Sequence, residues 1–165
     1  MDDIKALLTT TDGRIGRQQW WIGIVVLIVV SIVASIVLSI LSFGNGTVMA
    51  WFGVLINLAL IWPSYCVGIK RRHDRDNNGT DLTILIAGSV LLNLLTATGV
   101  GTSMTDMGGM MMPVPTIWLG ALNVIFAVFA IYMLVQLGFL KGTAGPNSYG
   151  PDPLDGATRT EPELS

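Results

Sequence analysis

His73 and Asp74 are adjacent in the chain, and such a pair could begin a metal site that activates water for hydrolysis. A site of that kind needs further ligands, and imidazole is the commonest of them. His73 is the only histidine in the sequence. We therefore expect no metal, no cofactor and no metal-dependent catalysis at this pair.

Arginines near this pair could instead bind anions. Arg14 and Arg17 are three positions apart, so on a helix they would share one face and reach a phosphate or a carboxylate. In one hypothesis, Asp74 forms an ion pair with Arg14, Arg17 or Arg71 and ties a central loop to the N-terminal segment. In the other, the same cluster recognises an anionic headgroup or a soluble ligand. Residues 70–81 hold four basic and three acidic residues, a balance that predicts only weak attraction to anionic lipid.

Two sulfur-containing features could bind soft metals. Cys66 is the only cysteine, which excludes an internal disulfide and a multi-thiolate site, and its apolar surroundings predict an inert buried thiol. The segment from Thr102 to Pro115 contains five methionines, whose thioethers can select Cu(I). The alternative is a flexible apolar loop on the membrane surface, and we expect that loop. Since the sequence shows no nucleophile–base pair either, we expect a protein that is not an enzyme.

The elements that would position these residues are long apolar segments. The chain has 165 residues, 52% of them hydrophobic and 12% charged, whereas a soluble domain has about 25% charged residues. About 20 apolar residues cross the ~30 Å hydrocarbon layer of a bilayer. The sequence therefore predicts an all-α integral membrane bundle of four transmembrane helices, at residues 20–43, 48–69, 82–100 and 116–140.

The distribution of positive charge predicts how this bundle is oriented. All nine Lys and Arg residues lie in segments 5–17, 70–75 and 141–159. Basic segments stay on the cytoplasmic side of a membrane, so we expect both termini in the cytoplasm. The N-terminal segment would be residues 1–19 and the tail residues 141–165, disordered after about residue 155 because of its composition. The net charge of −2 predicts no nucleic-acid partner.

Small and amide side chains within the predicted spans could hold the helices together. No Asp, Glu, Lys, Arg or His lies inside a predicted span, which argues against an independent ion-coupled transporter. Two hypotheses stay open for the polar residues, namely hydrogen bonds between helices or a path for a polar solute. The residues concerned are Ser31, Ser35 and Ser39, spaced by four, and the amides Asn57, Asn93, Asn123 and Gln136.

Three motifs flank the apolar segments, at residues 13–21, 70–79 and 145–153. Together they resemble the bacterial inner-membrane family known as domain of unknown function 805, with its G-R-x-x-R-x-x-[FW]-W opening, its R-x-H-D-x-x-x-x-G loop and its closing G-x-N-x-[YF]-G. The chain departs from the family pattern at Arg72, where Leu is usual, and at Thr80-Asp81, where Trp is usual. The motifs give a candidate interaction cluster on the cytoplasmic face, formed by Arg14, Arg17, Arg71, Arg72, His73, Asp74, Asn147 and Tyr149.

The resemblance implies a multi-pass protein of the bacterial inner (plasma) membrane whose biochemical role is unassigned. We expect a small non-enzymatic structural or interaction protein, with the lipid bilayer, another membrane protein or a second copy of the chain as its partners. The alternative is an oligomeric transport or permeation protein for a small polar solute.

Overall fold

Four long helices dominate the computed structural model, which describes residues 2–154. A short helix α1 precedes them, and a π-helical segment, Val135–Phe139, continues the last one. All four are long and apolar enough to cross a membrane, so the prediction of an all-α membrane bundle is confirmed for its helices. The predicted disorder after about residue 155 lies outside the described residues. The helices are α1 (Asp2–Thr9), α2 (Arg17–Leu41), α3 (Gly46–His73), α4 (Thr80–Thr98) and α5 (Ile117–Leu134).

A small antiparallel sheet was not predicted. Strands β1 (Thr102–Asp106) and β2 (Met111–Pro115) pair in the segment that the sequence analysis treated as a flexible loop. Gly108 and Gly109 have φ values of 71° and 89°, a left-handed conformation that glycine adopts without steric cost. The carboxylate of Asp106 accepts a hydrogen bond from the Gly109 amide at 2.7 Å. These turn residues make a hairpin of a segment whose methionines stay exposed.

Helix α3 extends past the predicted end of its span, at residue 69, to His73. Its last turn contains Lys70, Arg71 and Arg72 as well as His73. Cations are favourable at a helix C-terminus, where the carbonyl ends of the peptide dipoles carry partial negative charge. The basic motif is therefore held in helical form beyond the apolar segment.

The helices pack in chain order, α2 against α3, α3 against α4 and α4 against α5. The chain closes on itself at one end, where the π-helical segment returns to α2 and α3. Helix α1 packs against α3 at that same end. The buried apolar cluster includes Leu27, Val67, Leu82, Met133 and Leu137. The rest of α2 exposes apolar side chains such as Val33 and Ile36, as expected of a surface that contacts lipid.

Gly23 marks the close approach of α2 to α3. A Cβ atom added there would lie 2.9 and 3.0 Å from the two methyl carbons of Val67 and 3.4 Å from Leu7 Cδ2. We expect Gly23→Leu to lower the free energy of unfolding by about 1–3 kcal/mol, the usual cost of overpacking a core. Thermal unfolding of the purified protein in detergent measures this change.

Gly120→Leu is the matched control, since nothing lies within 4 Å of a Cβ atom added at that position of α5. Its melting temperature should stay near that of the unsubstituted protein. Equal destabilisation by both leucine substitutions would contradict a close contact of α2 with α3 at Gly23.

Candidate functional site

A buried carboxylate lies at the end of the bundle where the chain closes. Asp74 ends α3 and is only 3% exposed. Its Oδ1 accepts hydrogen bonds from Arg14 Nε at 3.1 Å and from Arg14 Nη2 at 3.0 Å. Its Oδ2 accepts one from Arg71 Nη1. Because both arginine side chains are 1% exposed, one carboxylate neutralises part of the charge of two buried cations. We call Arg14, Arg71 and Asp74 the charge cluster.

Arg14 joins the charge cluster to the tail of the chain. Its Nη2 donates to the Thr143 carbonyl at 2.7 Å, and its Nη1 donates to the carbonyls of Gly145 at 2.7 Å and Gly150 at 3.2 Å. The Asp74 carbonyl accepts from the Thr143 amide at 2.8 Å and from its hydroxyl at 3.1 Å. Arg14 thus makes five hydrogen bonds, as many as a guanidinium has N–H donors. An added anion would have to displace one of these protein acceptors.

The end of the last helix is capped by side chains from other segments. The final carbonyls of a helix have no backbone partner, and a π-helix, with bonds spanning five residues, leaves one more of them free than an α-helix. Here each carbonyl of residues 136–140, which we call the carbonyl row, accepts a side-chain hydrogen bond. The donors, in order, are Arg75, Arg71, Trp21, Arg17 and again Arg71.

The distances within the carbonyl row show which bonds are best formed. Arg71 Nε lies 2.8 Å from the Leu137 oxygen, and Arg75 Nη1 lies 3.0 Å from the Gln136 oxygen. The Trp21 indole N–H donates to the Gly138 oxygen at 3.2 Å. Each of these donors comes from the first or the second sequence motif, so the motifs supply the cap for the last helix.

Lys70 caps the end of α1 in the same way. Lys70 Nζ donates to the carbonyls of Ala6 at 2.8 Å and Leu7 at 2.9 Å, and to Thr10 Oγ1 at 3.4 Å. The lysine is 4% exposed, so these contacts replace the water that an ammonium group needs. The last turn of α3 therefore caps two other helices.

The two departures from the family pattern contact each other. Arg72 Nη2 donates to Asp81 Oδ2, in a pair whose arginine is 5% and whose aspartate is 23% exposed. This ion pair joins the two positions at which the sequence departs from the motif pattern that it resembles. It connects the end of α3 to the first turn of α4.

The third motif docks on the loop after α3. The rings of His73 and Tyr149 stack with centroids 3.9 Å apart and planes at 6°. Asn147 Nδ2 donates to the His73 carbonyl and to Thr143 Oγ1, both at 2.8 Å. Further along the tail, the amides of Gly145 and Leu154 donate to the Asp152 carboxylate and lower its pKa. The tail segment is therefore attached by specific contacts.

All eight residues of the candidate cluster lie at this end of the bundle, in different contacts. Asp74 pairs with Arg14 and Arg71, as one hypothesis stated, whereas Arg17 bonds to the Phe139 carbonyl instead. Arg72 belongs to the separate pair with Asp81. The capping contacts of Lys70, Trp21 and Arg75 were not predicted from the sequence, although cations near the C-terminus of a helix are common partners of terminal carbonyls. The hydrogen bonds from Thr143 to the Asp74 carbonyl were not predicted either.

The residues predicted to pack helices together differ in the contacts that they make. Asn93 and Asn123 donate to carbonyls one turn earlier in their own helices, those of Ser89 and Leu119, each at 2.8 Å. Within residues 2–154 they make no hydrogen bond to another helix. Gln136 belongs to the carbonyl row and its side chain accepts from Arg75. A cavity of about 340 Å³ between α2, α3 and α4 is lined by Ser31, Ser35, Asn57 and Asn93, but not by Ser39 or Asn123.

Comparison with known proteins identifies relatives along almost the whole chain. The model of the family described as "Protein of unknown function (DUF805)" matches residues 8–151, a range that contains all three residues of the charge cluster. The uncharacterized protein YiiR of Escherichia coli strain K12 is 27% identical over 154 residues, 92% of this chain and 91% of YiiR. YiiR of Escherichia coli O157:H7 gives the same values. No solved structure matches the chain significantly.

The charge cluster predicts a large effect of removing one charge. Asp74→Asn would leave Arg14 and Arg71 buried without their counter-ion, and breaking a buried pair in this way costs about 3–5 kcal/mol. We expect a correspondingly lower free energy of unfolding in detergent and faster proteolysis of the tail.

Asp76→Asn is the control, because it makes the same change of charge two positions later on an exposed side chain. Asn can still accept the hydrogen bond that the Ser148 amide donates to Asp76 at 3.3 Å. Its effect should stay within about 0.5 kcal/mol. If both substitutions were equally mild, the charge cluster would not stabilise the fold.

Proposed function

The chain belongs to the DUF805 family of proteins of unknown function, and we propose that it is a non-enzymatic interaction protein of the bacterial inner membrane. In this proposal both termini and the charge cluster face the cytoplasm. The charge cluster builds a rigid surface there, and a partner protein or a second copy of the chain binds to that surface.

The position of the basic residues supports the orientation. Four crossings return the chain to its starting side, and the basic residues from Lys5 to Lys141 lie around the start of α2, the end of α3 and the end of the π-helical segment. These three regions are in contact through the charge cluster and the carbonyl row. Positive charge gathered at one end of a bundle is typical of its cytoplasmic side.

The single observation that carries the proposal is that the arginines of the charge cluster are occupied by acceptors of their own chain. Arg14 donates to Asp74 and to three tail carbonyls, and Arg71 donates to Asp74, Ile15 and the carbonyl row. Such a set supports a structural role better than the hypothesis of an anion-binding site, because binding an anion would break existing bonds. The cluster then serves to hold a loop and the tail side by side.

At the same end of the bundle as the charge cluster lies what we call the polar rim, a set of exposed side chains from the loop after α3, the first residue of α4 and the tail. These side chains carry both signs of charge as well as amide and hydroxyl groups, and they lack the excess of positive charge with which a protein binds anionic lipid or nucleic acid. The polar rim consists of Asp76, Asn78, Thr80, Lys141 and Ser148.

The thiol, imidazole and carboxylate side chains that could act in catalysis are buried or held in contacts that stabilise the fold. Cys66 is 0% exposed, the His73 ring is stacked on Tyr149, and Asp74 is paired with two arginines. This placement supports a role without catalysis. The alternative of one solute path lined by four amides receives no support, because Asn123 and Gln136 lie apart from the cavity that Asn57 and Asn93 line.

Site-specific photo-crosslinking in native membranes tests the proposal. We expect a benzoylphenylalanine placed at Asn78 or Ser148 of the polar rim to give a discrete crosslinked product, either with another protein or with a second copy. The same residue placed at Asp106, which is exposed in the hairpin at the other end, should give none. Products from Asp106 alone, or from no position, would contradict the proposal.

A labelling control checks the orientation in the same cells. A membrane-impermeant maleimide should modify Asp106→Cys in spheroplasts and Asn78→Cys only after the membrane has been opened. Native Cys66 is fully buried and supplies the unreactive background. Labelling of Asn78→Cys in intact spheroplasts would reverse the proposed orientation.

A further inference from the structure

We propose that the cavity between α2, α3 and α4 is a binding site for a small uncharged molecule with hydrogen-bond donors. It lies within the membrane-spanning part of the bundle, away from the charge cluster. Ser31 and Ser35 stand near the middle of α2, and Ser89 stands near the middle of α4. The polar lining is therefore at a depth where the surrounding lipid offers no hydrogen bonds.

Polar side chains from three helices converge on the cavity. Its volume is about 340 Å³, which is at the lower end of the range of small-molecule sites. A row of small residues on one helix would only indicate close packing, but here each of three walls contributes hydroxyl or amide groups. The polar side chains are Ser31, Ser35, Asn57, Ser64, Ser89 and Asn93.

An unpaired amide oxygen points to a missing hydrogen-bond partner. Asn57 Oδ1 is buried and accepts no hydrogen bond from the described residues. A buried polar group without a partner costs about 1–3 kcal/mol or more. Gly53, one turn away on α3, also lines the cavity, and a Cβ added there would be in ordinary contact with Asn93 Oδ1 at 4.0 Å. Because Oδ1 has almost no accessible surface in this structure, a bound molecule would donate to it, and remove this cost, only after the Asn57 amide turns toward the cavity.

The hydrogen bonds already made by the lining side chains determine which donors and acceptors remain available to a ligand. The hydroxyl groups of Ser31 and Ser89 already donate to carbonyls of their own helices, those of Ile28 at 2.8 Å and Ile86 at 2.7 Å. Toward a ligand, these hydroxyl oxygens can therefore act mainly as acceptors. With the Asn57 amide turned toward them, these oxygens and Asn57 Oδ1 form a set that favours a ligand with O–H or N–H groups, such as a polyol or a primary amide.

The lining also predicts that the ligand carries no charge. No side chain that lines the cavity is ionisable, so a charged molecule would lose its hydration without gaining a counter-ion. An uncharged polar molecule loses much less and recovers hydrogen bonds from the lining. Binding of a solute and its passage across the membrane are separate matters, and only binding is proposed here.

Alkylation of an introduced cysteine tests the site with a probe of the proposed class. Iodoacetamide is a small uncharged primary amide. We expect it to modify Ser35→Cys, in vesicles of phosphatidylethanolamine and phosphatidylglycerol, at least about tenfold faster than Ser39→Cys, because a thiol reacts as the thiolate and lipid suppresses that form. Ser39 is one turn further along α2 and outside the cavity. A large excess of acetamide should slow the reaction at Ser35→Cys and leave exposed Asn78→Cys unchanged.

Further variants keep the test decisive if Ser35→Cys folds poorly. Ser89→Cys places a thiol on the opposite wall of the same cavity and should behave alike. Adding Asn57→Leu should abolish the protection by acetamide, whereas Asn123→Leu, an amide outside the cavity, should preserve it. Equal rates at Ser35→Cys and Ser39→Cys would show that solutes do not enter. Faster alkylation without protection by acetamide would mean that the cavity holds water only, and either result overturns the proposal.

Discussion

The end of the bundle that holds the charge cluster depends on one constraint. Backbone carbonyls at a helix terminus near lipid must accept hydrogen bonds from protein donors. An unpaired carbonyl in that environment costs several kcal/mol, and the π-helical end of the last helix exposes a row of five, residues 136–140. Arginine donors can reach this row only if α2 and α3 begin and end beside it. The packing of the helix ends follows from that requirement.

Capping with arginine creates a second requirement, because a cation taken out of water needs a counter-ion. Asp74 meets it for Arg71 and, through its other oxygen, for Arg14. Arg14 then has donors left for the carbonyls of the tail. One carboxylate thus links the N-terminal segment, the end of α3 and the tail, which explains why three motifs far apart in sequence form one assembly. The motifs leave the polar rim exposed at this end of the bundle. The cavity lies elsewhere, between α2, α3 and α4.

Features set by composition could be predicted from sequence, and features set by close geometry could not. The four membrane helices follow from the length of the apolar segments, and the link between Asp74 and Arg14 was one of two hypotheses that the charges allowed. The hairpin was missed because its signal, Gly108-Gly109, is short and its strands are not amphipathic. The carbonyl row was missed because nothing in residues 135–139 announces a π-helical turn, and the capping residues have meaning only once that turn exists. The cavity is an intermediate case, because Ser31, Ser35, Asn57 and Asn93 stood out in the sequence as polar residues within apolar spans. Their convergence on one space depends on which sides of three helices face each other, and that could not be predicted from spacing within each helix.

The central claim is that Arg14 and Asp74 are energetically coupled and together join the segments. A double-mutant cycle with Arg14→Gln, Asp74→Asn and the double variant, measured as free energies of unfolding in detergent, isolates their interaction from the other bonds of each residue. The account predicts a coupling energy of about 2 kcal/mol, with the double variant less damaged than the sum of the two single changes. Additive effects, with a coupling energy below about 0.5 kcal/mol, would contradict it.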